Sequence, residues 1–73
     1  MRLMLNFPST TNEQVFLHWV EDNMPQYVSC CYPRGGEIVV TAVPEQERMR
    51  MIEEAKILGA FITEGDDRMM RVL

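Results

Sequence analysis

The sequence predicts an α+β domain, a small ferredoxin-like (split βαβ) sandwich in the order β-α-β-β-α-β, with a short extra C-terminal strand as an optional addition. Three observations carry this. Short apolar, β-rich runs fall at residues 2–7, 37–43 and 60–65, the first with Leu3, Leu5 and Phe7 on one face. Apolar residues recur with helical spacing over residues 9–24 and 44–59. Pro8, Pro33, Pro44, Gly35, Gly36, Gly59 and Gly65 fall at the joints between these runs. At 73 residues the chain reads as one globular domain spanning 1–73.

The first strand is RLMLNF, with Leu3, Leu5 and Phe7 on one face and Arg2, Met4 and Asn6 on the other. In the following helix, Thr10 and Glu13 have capping-box spacing. Val15, Phe16, Trp19, Val20 and Met24 form its apolar stripe, and Gln14, His18, Glu21 and Asp22 the opposite arc. YVSCCY and EIVVTAV read as two strands joined by PRGG, a loop that suits a hairpin. The second of these runs is apolar on both faces, which predicts burial on both sides or a contact.

Pro44 opens the second helix, where its missing N–H costs nothing. Glu45 and Glu47 suit the positive end, Lys56 the negative end, and Gly59 the stop. AFITEG is the fourth strand; Asp66 and Asp67 turn the chain, and RMMRVL can return as an edge strand. Helices are expected on one face of an antiparallel sheet. That fold hosts many unrelated activities and transfers none of them.

Composition narrows function by exclusion. Eleven acidic residues against seven basic give a net charge of −4, which disfavours nucleic-acid binding and adhesion to anionic membranes. No apolar run approaches the ~20 residues of a membrane span, and no signal-peptide pattern is expected. The reading is of a cytoplasmic protein. Its two cysteines are adjacent, so they form neither a disulfide framework nor a C-x-x-C pair.

Each chemical candidate has a plainer explanation. Cys30 and Cys31, placed mid-strand, would point to opposite faces and act as small apolar groups. The Arg34-Gly35-Gly36 stretch lacks the pattern of a phosphate loop and fits a hairpin tip, where Arg34 would be exposed. His18, the only histidine, lies on the polar arc with no convergent ligands. The carboxylate pairs fall on predicted solvent faces and in a turn. No catalytic residue, metal site or cofactor is predicted, and the expectation is that the protein is not an enzyme.

What stands out is apolar surface. Seven methionines are present, and Met49 and Ile57 project outside the inward stripe of Met51, Ile52, Ala55 and Leu58. In the last segment Met69, Arg71 and Leu73 alternate with Met70 and Val72, so both faces of an edge strand carry apolar groups. Arg34, Met49, Ile57, Met69, Arg71 and Leu73 are therefore the expected partner contacts. The sequence has the character of a phage-type inhibitor or small regulatory adaptor that docks on another protein. The alternative is a homodimeric domain that senses a small molecule, and the C-terminal edge is the expected route to a homodimer.

Overall fold

A computed structural model describes residues 2–66 and 70–73. Its elements are β1 (Arg2–Asn6), α1 (Thr10–Asn23), a 3-10 helix (Pro25–Cys30), β2 (Cys31–Pro33), β3 (Glu37–Thr41), α2 (Glu45–Ile57), β4 (Phe61–Gly65) and β5 (Met70–Val72). The five strands form one sheet in the order β2-β3-β1-β4-β5, and every neighbouring pair is antiparallel. This is a small α+β protein with helices and a five-stranded antiparallel sheet. Met69, one of the expected partner contacts, lies outside the described residues, as does Asp67.

One face of the sheet meets the helices. Leu3, Leu5, Cys31, Ile38, Val40 and Ile62 pack with Phe16 and Val20 of α1 and Met51, Ile52 and Ala55 of α2 in a single buried cluster. Phe7 and Phe16 extend it as a tilted ring pair 5.3 Å apart. The two helices are tied twice more. Asn12 Nδ2 donates to the Leu58 carbonyl at 2.7 Å, and the Arg50 guanidinium stands 5.9 Å from the centre of the Trp19 ring.

Among the described residues no helix covers the other face. Tyr32, Val39, Met4, Thr63 and Val72 stand in register across all five strands. Val39 is buried yet lies outside the main core cluster, as expected of a side chain on this second face. The sequence pattern of β3, apolar on both sides, reflects this arrangement.

Three expectations need correction. YVSCCY is not one strand: residues 25–30 wind as a 3-10 helix, and only Cys31–Pro33 pairs with β3. Pro25 starts that helix, the Tyr27 N–H donates to the Met24 carbonyl, and Tyr27, Val28 and Cys30 rest against the core. Packing there overrides the β preference of Tyr and Val. The N-cap of α1 is Ser9, which has an extended backbone and whose hydroxyl accepts the Asn12 N–H at 3.2 Å; Glu13 is instead buried. Val15, assigned to the inward stripe, is substantially exposed.

The hairpin between β2 and β3 closes as its composition suggests. Gly35 and Gly36 both have positive φ, at 58° and 92°, which only glycine adopts freely at two successive turn positions. The Arg34 N–H donates to the Glu37 carbonyl at 2.6 Å.

Candidate functional site

The candidate site is a groove of about 390 Å³ between α2 and the β4–β5 edge. It forms because β4 places Glu64 on the helix-facing side of the sheet, in the same row as Leu3 of β1 and Arg71 of β5. A carboxylate in that position cannot remain buried without a partner. Arg48, one turn into α2, supplies one: its Nε donates to Glu64 Oε2 at 2.9 Å. Its Nη1 also donates to the Val43 carbonyl at 3.0 Å, which fixes the guanidinium in place.

Arg71 approaches the other oxygen of Glu64, with Nη2 3.6 Å from Oε1. The two arginines differ in freedom. The Arg48 side chain is only 18% exposed, whereas that of Arg71 is 76% exposed. Arg48 is therefore a structural ion and Arg71 a largely solvated one, free to meet a second anion. Met49, Ile52 and Leu73 supply apolar walls, with Glu45 and Lys56 completing the lining. Three cations and two carboxylates thus line a groove in a chain of net charge −4.

β5 is the last strand of the sheet, so one side of its backbone has no strand beside it. The ladder continues one residue further, with the Leu73 N–H donating to the Ile62 carbonyl at 2.9 Å. This holds Leu73 on the groove side of the sheet.

Of the expected contacts, Met49, Arg71 and Leu73 converge on the groove. Arg34 does not: it sits exposed at the β2–β3 turn, at the strand ends on the half of the sheet away from β5. Ile57 is 77% exposed at the end of α2 and does not line the groove. Arg48 and Glu64 escaped the sequence reading, although a signal was present. Ile62 on the inward face of a strand places Glu64 inward too, and an inward carboxylate calls for a cation.

The cysteines and the histidine occupy different settings. Cys31 is buried, its Sγ lies 3.6 Å from the Tyr27 carbonyl, and burial, reinforced by Cys30 beside it, pushes its thiol from 9.0 up to about 11. A thiol so disposed is a poor nucleophile at neutral pH. Cys30 is half-buried against the core. His18 is exposed, with Nδ1 3.7 Å from Glu21 on the next turn. Among the described residues no group of three or more His, Cys, Asp or Glu side chains could hold a metal ion. No helix among them is long and apolar enough to cross a membrane.

Comparison with known proteins finds no match: no family model, no curated protein and no solved structure matches the chain.

Proposed function

We propose that this is a non-enzymatic, cytoplasmic protein-binding module that docks on a partner protein to inhibit or modulate it, and that the groove between α2 and β5 is its docking site. The observation that carries this is the convergence of Met49, Arg71 and Leu73 beside the unpaired edge of β5. The excess of cations there selects an acidic and apolar segment, and the free strand edge suits an extended one. Arg71 would meet its carboxylate, and Met49 and Leu73 its apolar side chains. The fold itself reads as ferredoxin-like. In support, β3 lies between β1 and β2, and β1 between β3 and β4, as two interleaved split βαβ units require.

The test is a titration of isotope-labelled protein with a short peptide alternating Glu and Leu, against a control alternating Lys and Leu. The acidic peptide should shift the amides of Lys56 and Met70–Leu73, and Arg71→Glu should weaken it by about tenfold or more. Equal shifts from both peptides, or shifts confined to other surfaces, would overturn the assignment.

A second reading, the homodimeric small-molecule sensor, draws on the groove volume, which falls within the ~300–1,000 Å³ typical of ligand pockets. A small dicarboxylate that shifts the groove amides where the acidic peptide does not would favour it. Pairing of β5 with β5 of a second copy is the competing use of the same edge.

A further inference from the structure

We infer that a second copy of this chain packs against the helix-free face of the sheet, with the two-fold axis lying along the row Tyr32–Val39–Met4–Thr63–Val72. Large apolar side chains stand exposed on this face among the polar Arg2, Asn6, Glu37, Thr41 and Thr63. Tyr32, Phe61 and Val72 are 52%, 60% and 61% exposed on it. Apolar groups in such a contiguous arrangement mark an interaction surface.

The register of the sheet says what the occupant is. On this face Phe61 stands one row to one side of the central row, and Gly65 of the same strand one row to the other. A two-fold axis along the central row exchanges those positions, so Phe61 of each copy falls over Gly65 of its partner. A large ring meets the one strand residue of the face that has no side chain. The same operation sets Glu37 of one copy across from Thr41 of the other and beside its Arg2, with Asn6 across from Arg2. Glu37 and Arg2 are the only charged strand residues among those described on this face, and they meet with opposite sign. Turning the axis by a right angle, along the strands, would instead bring Phe61 against Glu37. The surface is self-complementary in one orientation, as an isologous contact demands.

The size of the face sets the strength. Three strands of five residues and two of three, at ~4.8 Å spacing and ~3.4 Å rise, give roughly 340 Å² per copy in projection. Two such faces, enlarged by side-chain relief, bury somewhat less than about 1,000 Å² in all, at the lower limit for a specific interface. A reversible, concentration-dependent dimer follows.

Sedimentation of the full chain from about 1 µM to about 1 mM tests this. The wild type should pass from monomer to dimer across that range. Phe61→Glu and Val72→Lys alter side chains already exposed in the monomer, and should each hold the protein monomeric at the top of the range with an unchanged circular dichroism spectrum. Arg71→Glu, on the groove side, should leave dimerisation unaltered, which separates this contact from docking in the groove. With Cys30 replaced by Ser, the double variant Phe61→Cys/Gly65→Cys should form an inter-chain disulfide on mild oxidation. A wild type that stays monomeric throughout would overturn the inference. So would a dimer that survives Phe61→Glu, or one that Arg71→Glu abolishes.

Discussion

Asn12 joins the start of α1 to the end of α2. Its backbone N–H is held by the Ser9 hydroxyl at 3.2 Å, its Oδ1 accepts that hydroxyl's proton at 2.8 Å, and its Nδ2 donates to the Leu58 carbonyl at 2.7 Å. One side chain thus completes a helix cap and satisfies a carbonyl at the end of another helix.

Replacing it separates these roles. Asn12→Ala should cost about 1–2 kcal/mol, since it removes both side-chain bonds and leaves the Leu58 carbonyl without its donor. In a domain this small that is a fall of about 5–15 °C in Tm. Asn12→Asp keeps an acceptor for Ser9 but sets a carboxylate against the Leu58 carbonyl. It should therefore lose stability despite its favourable place at a helix N-terminus. If Asn12→Asp melts at or above the wild-type temperature, the tie to Leu58 contributes nothing.

The Arg48–Glu64–Arg71 cluster should respond unequally to truncation. Glu64→Ala strands the half-buried Arg48 guanidinium and should cost about 2–4 kcal/mol. Arg71→Ala should stay within about 0.5 kcal/mol, because that side chain is largely in water. The pair Arg48→Met/Glu64→Leu should recover most of the loss of Glu64→Ala. Urea unfolding of the four proteins decides it. Equal losses for Glu64→Ala and Arg71→Ala would mean that burial does not rank these ions.

Cys31 gives a pH signature. Its folded thiol titrates near 11 against an ordinary value of 9.0. The neutral form is the one the fold prefers, so the full contribution is present below pH 9 and is lost as pH rises through about 11. By pH 11 the wild type should have lost about 2 kcal/mol relative to Cys31→Ala, with no such divergence between pH 6 and 8. Denaturation of both proteins along that series measures the difference; parallel curves up to pH 11 would show that Cys31 is not desolvated.

Ala42, between β3 and α2, has φ of 58°, a left-handed conformation that is costly for a residue with a Cβ. Ala42→Gly should be neutral or stabilising by up to about 1 kcal/mol, where a Gly elsewhere in the chain would weaken the fold. A loss above about 1 kcal/mol in thermal melts would argue that the strain is absent.

Much of the scaffold was legible in the residues. Alternation in β1 and β4 and the stripe of Met51, Ile52 and Ala55 depend on which side faces the core, and periodicity records that directly. Residues 25–30 were not legible, because their backbone follows from where α1 ends and what lies beneath it. The cap of α1 slipped by one residue because Ser9 and Thr10 are chemically equivalent candidates, and only the extended backbone of Ser9 decides between them. Met49, Arg71 and Leu73 were legible as misplaced apolar and cationic groups. Their convergence was not, since it follows from β5 returning beside β4 under α2. The helix-free row needed strand pairing, which a single strand does not disclose.

β1 is the earliest strand in the chain, yet it occupies the middle of the sheet, between residues 37–41 and 61–65. Its hydrogen bonds on both sides therefore wait for segments far downstream. Folding must close large loops before β1 gains either neighbour, which places this domain among the slower folders of its size. Until then Leu3, Leu5 and Phe7 have no covered surface to enter. A chain interrupted before β4 would keep one flank of its central strand open, with its most apolar residues accessible to any other strand nearby.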